Sequence, residues 1–439
     1  MIADRDRAAF HEAYRITTIL NYLVVVCCVT VSALEKVPAQ NTQQQITVDQ
    51  AVQEAIEKNL GLLAERYNLS IAEARILTAK LRPNPVFSLE ASHLNFLLPA
   101  GNAAEAGPNE YAARTDFVIE RGGKREKRIE VAEQARAVAE LQLLDSIRTV
   151  VLDVQNAAVD VLSAKLNLQL ATENLKSFNR VVEINQVRVR DGDLAPIELT
   201  RTKLTALQFR NAVIQATTQL RIARQRLQLL IGRTTESLDF DLVGDLRRDT
   251  RPLDVDSLQQ QALKFRPDIQ ALIRDQARSA AELRLQIAQG KVDYTIGAEY
   301  RRQQGPVSGN LVGAFFSVPL PVFNRNQGEI ERARLEQRQV SAKLLALEAD
   351  VRTQVQTAYQ QYMRAQQLLE DIETDMLQQA LQVRQTMEYS YRRGEATFID
   401  FLDAQRTFND TMQNYNSARA EYARSLYVID SVAGRTMGP

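Results

Sequence analysis

Two very long segments of the chain carry apolar residues at every third or fourth position, the pattern of an α-helix with one buried face. They run for 68 and 65 residues without Gly or Pro, between Gly123 and Gly192 and between Gly328 and Gly394. We predict long helices over residues 124–190 and 328–393, each roughly 100 Å long at 1.5 Å per residue. Helices of this length cannot bury their apolar faces within one globule, so we expect parallel neighbours of equal length.

Short stretches of alternating apolar and polar residues precede each long segment in pairs. Phe87, Leu89 and Ala91, for example, alternate with polar side chains. The predicted strands cover residues 86–96, 111–120, 294–302 and 311–320. Each is about ten residues, the length that a tilted strand needs to cross the hydrocarbon core of a bilayer. Two soluble hairpins are an equal alternative on the strands alone, but the long helices leave no globular core to support them.

The chain is organised as two repeats of similar plan. Two segments of the first half have counterparts in the second, namely 47–59 with 254–266 and 187–204 with 389–407. Each repeat contains a helix, two strands, a very long helix, a Gly turn and a further helix. We therefore predict a first structural repeat over residues 40–250 and a second over residues 251–439.

Four strands cannot close a barrel, and an open edge in lipid leaves unpaired backbone groups that each cost several kcal/mol. The smallest transmembrane barrels use eight strands, so an open pore requires several chains, and three are the smallest comfortable number. Pro319 and Pro321 cannot donate ladder hydrogen bonds and are expected to end the last strand. The predicted fold is mainly α with a membrane β-barrel: very long antiparallel coiled-coil helices form a trimeric α-barrel, and each chain adds four transmembrane strands.

The only long uncharged apolar run is residues 16–34, and small residues follow it. It predicts a secretory signal peptide over residues 1–39, with a membrane anchor as the alternative. Acidic residues before the run argue against a signal. Both cysteines, Cys27 and Cys28, lie inside it, and Val26 is too large for a lipoprotein cleavage site. The mature chain would then contain no thiol.

Net charge and chemical motifs add little specific information about function. Lys and Arg number 54, as do Asp and Glu, so net charge gives no reason to expect a nucleic-acid partner. The basic run RGGKREKR at residues 121–128 lacks the spacing of a phosphate-binding loop. We expect it at a turn between barrel and helix, solvated or near lipid headgroups. His93 is interpreted as a lining residue, and we predict no catalytic residue, cofactor or metal site.

Three further stretches carry a family resemblance when taken with the repeat. They are PLPVFNRNQGEIERA (319–333), YRRGEATFIDFLDAQRT (391–407) and YNSARAEYARSLYVI (415–429). From about Ile46 to Gly434 the chain resembles the TolC-type outer-membrane efflux proteins. The resemblance implies a homotrimeric channel in the outer membrane of a Gram-negative-type bacterium, in contact with outer-membrane lipid. Its periplasmic extension would dock onto a periplasmic adaptor protein and an inner-membrane pump. PLPVFNRNQGEI resembles the heavy-metal efflux branch more than the multidrug branch.

The resemblance also assigns residues to a periplasmic aperture. Asp400 and Asp403 match paired aspartates that ring the aperture and would favour cations. The alternative is that both simply lie early in a helix, where negative charge suits the helix dipole. Tyr391 matches a tyrosine that holds the tip closed. Where the family has an arginine two residues after the turn Gly, this chain has Ala396, and Arg393 or its neighbour Arg392 would have to substitute.

The two Gly turns are expected to contact the adaptor. The residues concerned are Asp191, Gly192 and Asp193 in the first turn and Gly394 and Glu395 in the second. Asp191 and Asp193 stand where the family often has apolar residues, so adaptor specificity is expected to differ.

Two other classes of protein remain to be weighed. An intracellular coiled-coil scaffold without transport activity would use its long helices to bridge partners and RGGKREKR to touch nucleic acid. It would leave the four strands unexplained. An enzyme ranks third because no nucleophile or acid–base pair is assembled by any motif.

Overall fold

The computed structural model describes residues 44–94, 109–234, 240–249, 252–305 and 308–435. The predicted signal segment and both cysteines lie outside these residues. The chain divides into a small unit, Met1–Gln45 with Ser237–Asp241, and a large unit, Ile46–Glu236 with Leu242–Pro439. The helices, the four-stranded sheet and all side chains discussed below belong to the large unit.

Helices make up most of the described part of the chain. They are α1 (Val48–Lys58), α2 (Leu60–Lys80), α3 (Lys124–Arg190), α4 (Pro196–Leu230), α5 (Val255–Phe265), α6 (Pro267–Gln289), α7 (Gln327–Asp371), α8 (Leu377–Arg393) and α9 (Phe398–Val432). The strands are β1 (Gln44–Ile46), β2 (Val86–Ser92), β3 (Asn109–Ile119), β4 (Phe240–Leu242), β5 (Tyr294–Gln304) and β6 (Gly309–Ser317). The order of two helices, two strands, a long helical segment and a final helix occurs in both halves.

Local sequence explains where the shorter helices begin. Thr47 and Gln50 form a reciprocal capping box at α1, and the Asn59 side chain accepts a hydrogen bond from the Leu62 amide at α2. Pro196 and Pro267 occupy the first positions of α4 and α6, where a missing N–H costs nothing. Each of these helices therefore starts at a residue whose chemistry favours a start.

The two long helical segments begin differently, directly after the sheet. Gly123 precedes α3 with φ 66°, and Asn326 precedes α7 with φ 64°. Asn tolerates this left-handed conformation better than most residues. The Asn326 side chain also donates to the Gln286 backbone carbonyl at 2.8 Å, which ties this junction to α6. Both repeats thus turn from strand to helix through left-handed backbone, at Gly122 and Gly123 in the first repeat and at Asn326 in the second.

The second long segment is not the unbroken α-helix over residues 328–393 that the sequence pattern predicts. A π-helical turn, Ile372–Met376, separates α7 from α8. Glu373 in this turn accepts two hydrogen bonds from Arg248, at 3.0 and 2.8 Å, and one from the Tyr415 hydroxyl at 3.2 Å. A tertiary ion pair therefore forms at the irregular turn, and periodicity within the helix contains no signal for it.

The apolar stripes of the long helices form the core. In α7, Val340, Val351, Val355, Ala358, Tyr362, Ala365 and Leu369 are all buried. All of these except Val340 pack in one cluster with residues of α5, α6 and α9, among them Leu258, Ile269 and Ile429. Other stripe positions are not covered within one chain: Met376 is 46% exposed and Val383 is 47% exposed. The predicted stripe is therefore mostly buried over α7 and partly open from the π-helical turn into α8.

The four longer strands form one antiparallel sheet in the order β2-β3-β5-β6. Leu89, Ala113, Tyr300 and Val312 lie side by side across it. β2 ends at Ser92, short of the predicted residue 96, because His93 adopts a left-handed φ of 54°; residues 95 and 96 lie outside the described ranges. β6 ends at Ser317, shortly before Pro319. Among the described residues, neither β2 nor β6 pairs with a further strand, so both edges of the sheet are open there.

Candidate functional site

The sheet has one apolar and one polar face, and the register assigns each side chain to one of them. The apolar face carries Phe87, Leu89, Phe117, Ile119, Tyr294, Ile296, Tyr300, Val312 and Phe316. The opposite face carries Ser88, Glu90, Glu110, Arg114, Asp116, Thr295, Glu299, Arg301 and Gln303. The alternation predicted for the individual strands therefore continues across β2, β3 and β5, whereas β6 also places Leu311 and Phe315 on the polar face.

The polar face carries a connected network of charges. Arg301 donates to Glu110 at 2.7 Å and to Glu299 at 2.9 Å, and Gln303 donates to Glu110 at 2.7 Å. Arg114 donates to Asp116 at 2.9 Å. His93 lies 4.0 Å from Glu110 at the margin of this network. Such a face is suited to a water-filled lumen, since charges facing hydrocarbon are costly in membrane barrels.

At the opposite end of the long helices, two turns repeat the same backbone geometry. Gly192 and Gly394 both take left-handed φ values, 87° and 79°. In each turn the residue after the Gly donates its amide to a carbonyl five residues earlier, Asp193 at 2.8 Å and Glu395 at 2.9 Å. Glycine is required at both positions because other residues rarely adopt this conformation.

Tyr391 joins the two turns from inside the protein. It is only 4% exposed, and its ring stacks on Phe401 with centroids 5.2 Å apart. Asn185, which is fully buried, donates its amide N–H groups to the Tyr391 hydroxyl at 2.7 Å and to Thr202 at 2.8 Å. Burial raises the pKa of Tyr391, so the phenol stays neutral. The guanidinium of Arg188 lies 5.9 Å from the ring centroid.

Sequence reasoning missed Asn185, Thr202 and Arg188. A usable signal existed for Asn185, because it follows Phe178 and Val182 by seven and three residues in the apolar stripe. A single amide at such a position commonly specifies register between packed helices. Arg188 carries no comparable signal, since its contact with Tyr391 spans two distant parts of the chain.

Asp400 and Asp403 both lie on the exposed side of α9, while Phe401 and Ala404 beside them are buried. Asp400 also caps its helix: its carboxylate accepts from the Thr397 hydroxyl at 2.6 Å, and its amide donates back to that hydroxyl at 3.2 Å. Asp403 has no ion-pair partner among the described residues. The helix-start role weighed for these aspartates is therefore present for Asp400 and is compatible with its exposure.

The remaining residues assigned from the sequence are exposed at the same turns. Arg393 lies 4.7 Å from the Tyr389 ring centroid and 3.9 Å from Glu395, and it does not contact Tyr391. Asp191, Asp193 and Glu395 project from turns whose backbones are exposed. The structure thus brings both Gly turns together, with acidic side chains outside and Tyr391 inside.

None of the described helices combines the length and the apolar composition needed to cross a membrane. Within the same ranges, no group of three or more His, Cys, Asp or Glu side chains is arranged to hold a metal ion.

Comparison with known proteins identifies the class. The family model "outer membrane efflux protein" matches residues 51–233 and 258–435. The chain belongs to this family, and it is an efflux channel of the outer membrane with a periplasmic extension. Members act together with a periplasmic adaptor and an inner-membrane pump. The predictions of a transport channel and of a non-enzymatic protein are confirmed, and the scaffold alternative is excluded.

Particular relatives agree with this assignment. The cobalt-zinc-cadmium resistance protein CzcC of Cupriavidus metallidurans is 24% identical over 391 residues, which cover 89% of this chain and 90% of CzcC. The solved channel CusC has a TM-score of 0.73 at 17% identity, covering 92% of this chain and 95% of that one. VceC of Vibrio cholerae has a TM-score of 0.68 at 16% identity, covering 88% and 96%. The predicted fold class is confirmed.

Proposed function

We propose that three copies of this chain form one continuous channel that exports divalent metal cations. The proposed assembly is supported by the sheet, because it has two open edges and an apolar face on all four strands. Unpaired edges are not tolerated in lipid, and four strands are too few to close a barrel. Joining β6 of one copy to β2 of the next would remove every edge and turn the apolar face towards outer-membrane lipid.

The polar face would then line the pore. Its network around Arg301, Glu110 and Glu299 contains both signs of charge and is already paired within one chain. Selectivity for cations would therefore arise elsewhere along the path. The exposed carboxylates of Asp400 and Asp403 are the best candidates, because threefold symmetry would place six of them around one constriction.

The two Gly turns are proposed as the adaptor-binding end. Asp191, Asp193 and Glu395 are exposed there and held on well-defined turns. An adaptor with basic residues at its tip would complement them. Replacing Asp193 by Lys should reduce export while leaving purified channels intact in conductance measurements. Normal export by a variant whose conductance is also normal would contradict this assignment.

The similarity to CzcC over most of both chains supports metal cations as the cargo. The test is to express the chain in a host that lacks its own cobalt-zinc-cadmium outer-membrane channel but keeps the adaptor and pump. We expect resistance to cobalt, zinc and cadmium to rise and periplasmic metal to fall. Unchanged metal resistance in cells that carry the chain in their outer membrane would contradict metal cations as the cargo.

A further inference from the structure

One end of the four-stranded sheet carries an exposed cation beside every strand. The register places the start of β2, the end of β3, the start of β5 and the end of β6 at this same end. The segments that adjoin these four strand ends carry the exposed cations Arg82, Arg121, Lys291 and Arg325, of which Arg325 lies eight residues beyond the end of β6. These four residues are called the rim cations below. Because neighbouring strands lie about 4.8 Å apart, the rim cations follow one another along the sheet margin.

Several contacts confirm that these residues are neighbours. Arg82 lines one shallow pocket together with Ile119 and Glu120 at the end of β3. The side chain of Lys291 packs so closely on Gly122 that a Cβ added there would lie 2.8 Å from its Cδ. A Cβ added at Gly290 would lie 2.7 Å from the backbone carbonyl of Arg325. The rim cations therefore form one surface.

None of the rim cations is paired with a carboxylate within the described part of the chain. Nearby basic residues that point inwards are paired: Lys124 lies 2.7 Å from Asp293, and Arg128 pairs with Glu120. By contrast, Arg121 lies 4.5 Å from the ring centroid of Tyr294, which is on the apolar face. The Nε of Arg325 donates to the Pro321 carbonyl at 3.1 Å, which satisfies one donor but does not neutralise the charge. The four positive charges are thus without a counterion among the described residues.

Apolar side chains project beside these charges. Leu320 is 78% exposed, Val322 is 61% exposed and Phe323 is 91% exposed, all in the loop that leads from β6 to Arg325. The apolar face of the sheet ends at the same margin, at Ile119 and Tyr294. A band of apolar groups bordered by unpaired cations matches the boundary between acyl chains and phosphate headgroups.

We propose that the rim cations bind the phosphate groups of phospholipids in the periplasmic leaflet, while Phe323 inserts among the acyl chains. This inference rests on the proposed trimeric barrel, in which three copies would make the rim continuous. Arg supplies the planar fork that suits phosphate oxygens, and three of the four rim cations are Arg. The rim would then fix the height of the channel in the membrane.

The chain contains no Trp, so Phe323→Trp provides a single fluorophore at the rim. The full-length protein is reconstituted in bilayers of phosphatidylglycerol and a galactolipid with the same acyl chains, with either lipid brominated. We expect bromine on phosphatidylglycerol to quench the introduced indole more strongly, equivalent to a local enrichment of about fivefold or more. Equal quenching by both lipids, or no quenching at all, would overturn the proposal.

Charge removal gives the second arm of the test. In the Phe323→Trp background the rim variant replaces Arg82, Arg121, Lys291 and Arg325 by Gln. The matched control replaces the same residue types by Gln on the exposed surface of α3 and α4, at Arg180, Lys203, Arg210 and Arg221. We expect the rim variant to lose the lipid preference and the control to keep it. Loss in both, or in neither, would contradict a role for the rim.

Single-channel conductance is recorded on the same samples. A conducting protein without lipid preference would overturn only the rim, whereas a protein that never forms channels would count against the trimeric barrel itself.

Discussion

The buried hydrogen bond between Tyr391 and Asn185 should hold the two Gly turns together. Tyr391→Phe removes the hydroxyl and leaves the ring, so its stacking on Phe401 at 5.2 Å is retained. Asn185 is fully buried, and its carbonyl oxygen, which accepts from Tyr391 at 3.0 Å, would lose that donor. Leaving such a group unsatisfied costs about 1–3 kcal/mol. The local opening equilibrium of the tip should shift by the same amount.

Hydrogen exchange measured by mass spectrometry reports this opening directly. We expect amides around the two turns to exchange about five- to 150-fold faster in Tyr391→Phe, with the sheet unchanged. Tyr389→Phe is the matched control, because Tyr389 lies two residues earlier on α8 and is 56% exposed. Adding Asn185→Leu to Tyr391→Phe should restore slow exchange, since the Thr202 hydroxyl, which loses the Asn185 donor, still donates to the Glu198 carbonyl at 2.7 Å. Equal exchange in the Tyr391 and Tyr389 variants would refute the role of this hydrogen bond.

Three further outcomes are expected. Replacing Asp400 and Asp403 together by Ala should weaken the cation preference measured by bilayer conductance, because two exposed carboxylates per chain are removed from the aperture. Val355→Pro should abolish export and lower helix content, since a proline inside α7 costs about 3 kcal/mol or more at a buried position. Asp268→Asn should lower thermal stability by an amount equivalent to about 3–5 kcal/mol, because Arg266, 3% exposed and 2.6 Å away, would be left buried without its partner.

The stability difference between the native protein and Asp268→Asn has a defined pH dependence. Burial opposes ionisation of Asp268, but the hydrogen bond and charge of Arg266 outweigh it and lower the pKa of Asp268. A carboxyl with a lowered pKa contributes stability that is present above its unfolded value, about 3.9, and lost as pH falls through the folded value. The difference in melting temperature between the native protein and Asp268→Asn should therefore be constant near neutral pH and shrink below about pH 4.

Each prediction has a matched control. Asp410→Asn removes an exposed carboxylate farther along α9 and should leave ion selectivity unchanged. Val355→Ala removes the side chain without breaking the helix and should retain export. Asp275→Asn breaks an ion pair with Arg278 that is less buried and should cost less than Asp268→Asn. Selectivity lost in Asp410→Asn, or export retained in Val355→Pro, would contradict the corresponding assignment.

Apolar periodicity predicted the long elements well, because it shows which face of each helix must be buried. α3 spans the residues predicted for it, since no Gly or Pro interrupts the stripe and Gly123 and Gly192 bound it. The strand faces were equally readable: Phe87 and Leu89 do share a face with Tyr300. The pattern of neighbouring residues was therefore sufficient to predict where helices lie and which face of a strand each side chain occupies.

Features that depend on distant contacts were not predictable in the same way. The π-helical turn at Ile372–Met376 coincides with an ion pair to Arg248, more than a hundred residues earlier. The partner of Tyr391 is Asn185, across 206 residues, and the cation whose guanidinium lies over its ring is Arg188. A single sequence does not show which distant residues come into contact. The side-chain partners at the Gly turns are therefore visible only in the structure.

The most direct test of the central claim is a cross-link between the open sheet edges. Leu89 on β2 and Val312 on β6 lie at the same level on the apolar face and are 75% and 84% exposed. Both are replaced by Cys in a background without Cys27 and Cys28, and a short bismaleimide is added to the protein in outer membranes. A trimeric barrel predicts linked dimers and trimers with no larger species, and neither single-Cys variant should form them. Only monomers, or a ladder that continues beyond trimers, would contradict it.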